Sequence, residues 1–183
     1  MTTEPLDLTP LLQERLPPGR LEILRSIGRL ADKLGWKVYC VGGSVRDLLL
    51  DKSIFDLDIL VEEHGLKFAR RFARAEKGFS KLYRRFATAM VILPGGIKID
   101  ITTTRGESYS EPGALPQVIP GNLEEDIRRR DFTINTLAFS LNRDKFGRLI
   151  DFTGGLEDLK KKIIRVLHAD SFRDDPTRIF RAV

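Results

Sequence analysis

Val41-Gly42-Gly43-Ser44-Val45-Arg46-Asp47, followed by Asp56-Leu57-Asp58-Ile59-Leu60-Val61, decides how this chain is read. Side chains of a β-strand alternate between two faces, so Asp56 and Asp58 point one way while Leu57, Ile59 and Val61 point into a core. Two carboxylates about 6–7 Å apart on one strand face are placed to hold divalent cations. The paired glycines upstream let a backbone turn approach a polyphosphate closely, with its N–H groups toward the phosphate oxygens. Together they point to chemistry on a nucleoside triphosphate. Taken singly, a solvated strand edge and a plain strand-to-helix turn would read the same way.

A third carboxylate follows. In the stretch 97–103, Ile97, Ile99 and Ile101 face one way, and Lys98, Asp100 and Thr102 the other. If this strand lies beside 56–61, Asp100 comes up next to Asp56 and Asp58. Three carboxylates in one place repel unless metal ions neutralise them. Otherwise Asp100 is a surface carboxylate paired with Lys98 or Arg105.

Composition sets the frame. The 183 residues suffice for one domain, or one domain plus a fragment, and 42% hydrophobic with 31% charged residues fits a soluble globular chain. The net charge of +5 favours an anionic partner without choosing between nucleic acid, membrane surface and nucleotide. Cys40 is the single cysteine; it reads as a buried core residue, excludes an intrachain disulfide, and fits a reducing cytoplasm. No apolar run approaches the roughly 20 residues of a membrane span. No basic stretch leads into an apolar one at the N-terminus, so neither a secretory signal nor a membrane partner is expected.

Along the chain, residues 1–19 read as a loosely structured lead-in with a short helical turn. Leu21, Leu24, Ile27, Ala31 and Leu34 fall at helical spacing, and Gly35 stops that helix. Residues 37–41 read as a strand, and Ser44 as the N-cap of a helix over 45–50. A strand at 56–61, a helix at 66–76, a strand pair at 82–86 and 89–93, and the strand 97–103 follow. Residues 106–121 read as a loop. Asn122 caps a helix with Glu124, Glu125 and Asp126 in its first turn. Residues 132–141 read as a second helical segment. Short strands at 148–152 and 163–166 flank a helix at 156–162, and a new helix starts near Asp175-Pro176. The expected architecture is α/β (α+β): a mixed, mainly antiparallel sheet with helices packed to one side.

The Gly-Gly and Asp-x-Asp segments resemble the nucleotidyltransferase superfamily that includes DNA polymerase beta. The fuller resemblance is to the class II tRNA nucleotidyltransferase (CCA-adding enzyme) and bacterial poly(A) polymerase branch. It rests on further segments in the same order: Thr102-Thr103-Thr104-Arg105; Tyr109 with Pro112-Gly113-Ala114-Leu115-Pro116; Asp126 with Arg129-Arg130-Asp131-Phe132-Thr133-Ile134-Asn135; and Asp174-Asp175-Pro176-Thr177-Arg178. In the last of these, Asp174 stands where CCA-adding enzymes usually carry glutamate. The resemblance covers roughly residues 20–183. It implies a polymerase-beta-like catalytic head over 20–168 and the start of a helical neck over 169–183, cut from a longer protein.

The resemblance also implies roles. Asp56, Asp58 and Asp100 would hold two magnesium ions, Asp100 helping to deprotonate the attacking hydroxyl. Gly42, Gly43 and Ser44 would cradle the phosphates, and Arg46 would reach the triphosphate or pair with Asp47. Arg129, Arg130 and Asp131 would clamp ribose and phosphate, with Asn135 holding the clamp. Asp174, Asp175 and Arg178 would read the base, Asp175 and Arg178 from one helix face. Alone, the last pair reads as an ordinary i,i+3 ion pair, and the arginine motif as a helix face with a local salt bridge. Arg70, Arg71, Arg74, Lys77, Lys81, Arg84 and Arg85 form either a tRNA-facing patch or a solvated basic face. The implied partners are ATP and/or CTP and a tRNA 3′ end, with no obligate protein partner evident. The implied activity adds CCA, CC or A. The rivals are a poly(A) polymerase, a small-substrate nucleotidyltransferase, and a non-catalytic RNA-binding module on the same fold.

Overall fold

The computed structural model describes residues 5–52, 56–108 and 117–182. Two antiparallel-dominated surfaces are built on one sheet, and what separates them is side-chain alternation. The strands are β1 (Val38–Val41), β2 (Leu57–Val61), β3 (Phe79–Tyr83), β4 (Thr88–Ile92), β5 (Lys98–Thr103), a ribbon of β6 (Arg105–Ser108) with β7 (Gln117–Pro120), β8 (Ala138–Ser140) and β9 (Leu149–Ile150). The seven-stranded sheet runs β3-β4-β5-β2-β1-β8-β9. Within it only β2 and β5 pair in parallel; every other neighbour is antiparallel.

One face is the main core. Cys40, Ile59, Ile101 and Val91 point into it, against Leu24 and Ile27 of α2 (Pro18–Leu34), Val45 and Leu48 of α3 (Gly43–Leu49), and Phe68 and Phe72 of α4 (Gly65–Ala75). Cys40 is buried as expected, and burial followed by the nearby Asp58 charge pushes its thiol up to about 12. The opposite face is covered over β1, β2 and β8 by α5 (Leu123–Arg128), where Leu123 and Ile127 meet Tyr39, Val41, Leu60 and Ala138. Towards β3 this second face is open. The chain then runs through α6 (Gly155–Lys161), α7 (Ser171–Asp174) and α8 (Arg178–Arg181). Among the described residues no helix is long and apolar enough to cross a membrane.

Several elements differ from the sequence reading. The N-terminal segment is docked, because Leu12 lies in α1 (Thr9–Arg15) and is buried with Leu8 and Leu16, at i,i+4 spacing, in the main core. Two backbone bonds, Leu8 N–H to Gly147 O and Leu149 N–H to Leu6 O, both 2.8 Å, fasten it to the β9 edge. Residues 132–141 form a 3₁₀ turn (Thr133–Asn135) and then β8 in place of a helix. Leu137, Phe139 and Leu141 enter one core and Ala138 the other, so both faces are covered and no period marks the strand. The 106–121 stretch holds the β6–β7 ribbon. The strand at 82–86 is displaced to Phe79–Tyr83, with Arg84–Phe86 in a 3₁₀ turn closed by Ala87 at φ 50°. At 163–166 there is a single bridge, Phe132 to Val166. Tyr109 and residues 112–116 lie outside the described residues.

The packing of α2 on β8 is backbone-close. A Cβ at Gly28 would sit 1.9 Å from the Leu141 carbonyl oxygen. Gly28→Ala therefore forces the helix off the sheet, and urea unfolding is expected to show a loss of about 3 kcal/mol. An unchanged midpoint would show that the helix does not pack directly on the Leu141 carbonyl.

Candidate active site

Asp58 stands directly opposite Asp100 in the parallel β2–β5 register. Paired residues share a face, so the two carboxylates rise side by side from backbones about 4.8 Å apart. Asp56, exposed, immediately precedes β2. Burial pushes the Asp58 carboxyl up; the Arg130 guanidinium draws it down, and Asp100 and Asp56 push it up further. Burial also raises Asp100, with Asp56 adding to the rise and Lys98 opposing it. The three charges therefore sense one another, on the face away from the main core. Among the described residues the acidic groups do not close into a ready-made cage. Their all-carboxylate donor set suits a hard divalent cation.

The glycine turn brings the other charges in. Gly42 has φ 78° and donates its N–H to Leu137 O at 2.9 Å. A Cβ there would lie 3.1 Å from Arg130 Nη1 and 3.9 Å from Asp58 Oδ2. Glycine at 42 thus supplies both the left-handed backbone and the room for a guanidinium and a carboxylate to converge. Because Gly42 takes this conformation, it is the residue that precedes α3, and Ser44 is inside the helix, not its N-cap. The Ser44 hydroxyl instead donates to Asp56 O (3.0 Å) and accepts from Asp58 N–H (3.3 Å). It ties the turn to the backbone that carries the carboxylates.

Arg129 and Arg130 arrive from the end of α5. That helix starts at Asn122, which accepts from Glu125 N–H (3.0 Å) while the Glu125 carboxylate accepts from Asn122 N–H (2.7 Å), a reciprocal cap. Within α5, Asp126 is fully buried. Its carboxylate accepts from Arg129 Nη2 at 2.8 Å, Arg130 Nη2 at 3.2 Å and the Arg105 N–H at 3.2 Å. One buried carboxylate thus aims both guanidinia, and Arg130 continues to the Gly42 turn. The sequence places Asp126 in the first turn and groups it with the arginine motif without giving it a role; its i,i+3 and i,i+4 spacing to Arg129 and Arg130 is the signal that marks it as their anchor.

A second network flanks the site. Arg46 donates from Nε to Asp47 (2.9 Å) and from Nη1 to Asn135 Oδ1 (2.6 Å). Asn135 donates to Asp131 Oδ1 at 3.1 Å, and Asp131 Oδ2 pairs with Arg181 at 2.8 Å. Arg46, Asp131 and Asn135 therefore form one connected wall, and Arg46 pairs with Asp47 while also reaching across to the 3₁₀ turn.

Asp175 and Arg178 do not share a helix face. α7 ends at Asp174, and Asp175 is extended at φ −141°, ψ 94°. Pro176 disfavours the helical region for the residue before it, so the helix expected to start near Asp175-Pro176 starts at Arg178 instead, after the separate short α7. Asp175 accepts from Thr177 N–H and Oγ1–H at 3.0 and 2.5 Å, bonds that hold its carboxyl below the usual range. Arg178 is 5% exposed and donates to Ser171 Oγ (2.6 Å) and Arg129 O (3.1 Å), 3.9 Å from Asp175. Asp174 lies 3.6 Å from His168. The Arg178–Arg129 contact and the Arg181–Asp131 pair join this segment to the arginine motif.

Comparison with known proteins places this arrangement. An A-adding tRNA nucleotidyltransferase from Geobacter sulfurreducens is 47% identical over 173 residues, 94% of this chain and 20% of that protein. An apo CCA-adding enzyme structure matches with a TM-score of 0.93 at 46% identity, over 99% of this chain and 43% of that one. The Thermotoga maritima CCA-adding enzyme complexed with tRNA matches with a TM-score of 0.85 at 43% identity, over 99% of this chain and 40% of that one. The chain thus spans from a fifth to under half the length of these relatives. The family described as the poly A polymerase head domain matches residues 38–165, more than half of the chain, and this chain belongs to that family.

Proposed function

We propose that this protein transfers a nucleotide from ATP and/or CTP to the 3′-hydroxyl of a tRNA, releasing pyrophosphate. The observation that carries the reading is the Asp58–Asp100 register beside the Gly42 turn, with Arg130 reaching both. The domain assignment goes with it: residues 20–168 as catalytic head and 169–183 as the start of a helical neck. The 47% identity to an A-adding enzyme makes ATP the first donor to test.

Asp56, Asp58 and Asp100 would hold two magnesium ions; bound there, magnesium neutralises the triphosphate and lowers the pKa of the primer hydroxyl. The chain's own residues supply the rest. The N–H groups of Gly43 and Ser44 face phosphate oxygens at the turn, with Gly42 leaving room for the approach. Arg129 and Arg130, oriented by Asp126, bind triphosphate oxygens as planar forks. The Arg46–Asn135–Asp131 wall takes the ribose hydroxyls. Asp174 and Asp175 present acceptors to the base edge while Arg178 braces them against Arg129. Asp100 accepts the hydroxyl proton, a task suited to a carboxylate raised from its ordinary range.

The test incubates the protein with magnesium and each labelled nucleoside triphosphate, using tRNAs that end before CCA, after CC and after CCA. One A added to the CC-ended tRNA identifies an A-adding enzyme. C addition that stops identifies a CC-adding one, completion of CCA the full enzyme, and long A tails a poly(A) polymerase. Incorporation no greater than by the Asp56→Ala/Asp58→Ala variant contradicts the reading.

A further inference from the structure

The face that carries the carboxylates does not end at them. Register extends the Asp58–Asp100 pair across two more strands: Asp100 faces Met90, and Met90 faces Lys81. The flanking rows run Lys98–Ile92–Phe79 and Thr102–Thr88–Tyr83. Phe79, Lys81 and Tyr83 therefore lie on the same face as Asp58 and Asp100, and they form its outer edge. They are uncovered: Phe79 is 65% exposed and Tyr83 37%, and Phe86 in the adjoining turn is 53% exposed. The opposite side of the same strands is packed, with Ala89 and Val91 fully buried. An edge strand that turns two aromatic rings to solvent on one side needs a reason beyond the core.

The segment that carries these rings has charge of one sign. Between Glu76 and Asp100 the chain carries Lys77, Lys81, Arg84, Arg85 and Lys98, and no acidic residue. Lys81 Nζ lies 5.3 Å from the Tyr83 ring centre, and the Arg85 guanidinium 5.8 Å from that of Phe86. Exposed rings interleaved with cations are the chemistry of single-stranded nucleic acid binding, rings for base faces and cations for phosphates. Lys81 is two strands from Asp100, about 10 Å at the spacing of a sheet. That is the length of about three stacked nucleotides at ~3.4 Å each.

We propose that the β3 edge, Phe79, Lys81 and Tyr83 together with Arg85 and Phe86, is the platform on which the single-stranded 3′ end of the RNA primer stacks, so that its terminal hydroxyl reaches Asp100. The inference rests on the transferase reading above and adds the place and mode of primer binding. The rings hold bases without selecting among them, so the platform tolerates an end whose sequence changes as it grows.

The experiment compares wild-type protein with Phe79→Ala/Tyr83→Ala, with the aromatic swap Phe79→Tyr/Tyr83→Phe, and with Lys160→Ala on the exposed side of α6 as control. Binding of a short fluorescein-labelled single-stranded RNA and of tRNA is read by polarisation, and KM for RNA and for the nucleoside triphosphate by extension. The double alanine variant is expected to bind RNA about 10- to 100-fold more weakly and to raise KM for RNA, with KM for the triphosphate held. The aromatic swap retains binding. Lys81→Ala/Arg85→Ala flattens the salt dependence by about one to two counterions. Wild-type extension together with unchanged RNA affinity in Phe79→Ala/Tyr83→Ala overturns the platform alone. A wild-type protein that neither binds nor extends RNA overturns the transferase reading beneath it. A change of oligomeric state without a change in RNA affinity overturns the platform and assigns the strip to a protein contact.

Discussion

Asp58→Asn is expected to reduce nucleotide transfer at least about a thousandfold, equivalent to about 4 kcal/mol of transition-state stabilisation, while making the metal-free protein more stable. The two effects have one cause. Asp58 is partly buried next to Asp100 and Asp56, and its carboxyl is raised despite the pull of Arg130. A folded-state value above the unfolded one means that the ionised group costs stability at neutral pH. Asparagine has the same shape and no charge, so it removes that cost and gains about 1 kcal/mol, in the manner of other active-site substitutions that trade activity for stability. The sign can be followed with pH. As pH falls through the raised value toward the ordinary carboxylate range near 3.9, wild-type Asp58 takes up its proton in the folded state and the advantage of the variant disappears. Magnesium is expected to stabilise wild type and not Asp58→Asn, because cations relieve the same repulsion. Thermal unfolding at neutral and acidic pH, with and without magnesium, checks all of this. A variant less stable than wild type at neutral pH in the absence of metal would show that the cluster is not strained by its own charge.

Asp126→Asn is expected to cost about 3 kcal/mol and to raise KM for the nucleoside triphosphate at least about tenfold. Asp126 is fully buried and its two oxygens take Arg129, Arg130 and the Arg105 N–H. Removing the anion leaves two guanidinia without their counter-charge, the situation in which a broken buried pair is most damaging. Arg130 then loses the anchor that aims it at the Gly42 turn, so affinity for the triphosphate falls with stability. The exposed Arg128–Glu124 pair, 2.7 Å apart one turn away, provides the contrast. Arg128→Ala is expected to shift stability by less than about 0.5 kcal/mol. Equal effects at the two positions, measured by urea unfolding, would contradict the assignment of Asp126 as the anchor.

How much was legible in the sequence follows from which residues carry a local signal. Alternation around Ile99, Asp100 and Ile101 predicted the third carboxylate because one face of β5 is packed and the other open. Asn122 and Gly35 announced helix ends through their own side-chain and backbone chemistry. Residues 132–141 read as helix because both faces of β8 are covered, which erases the period that distinguishes the two structures. Ser44 reads as a cap because nothing in the sequence shows that the helix already starts at Gly43, after the turn at Gly42. The burial of Arg178 and Asp126 is tertiary: each is a charged residue on a short helix, and only the fold reveals which charges are enclosed. The β3 edge is a third case. Its exposed rings alternate with small and apolar residues as a core strand would, and only the register with Asp100 shows which face they share.

Single-turnover extension of a CC-ended tRNA with labelled ATP and magnesium, comparing wild type with Asp58→Asn and Asp100→Asn, tests whether the reaction takes place at this pair of carboxylates. Magnesium-dependent addition is expected from wild type, with loss of addition and retention of folded structure in both variants. Addition by either variant at close to the wild-type rate would contradict the placement of the reaction on this face of the sheet.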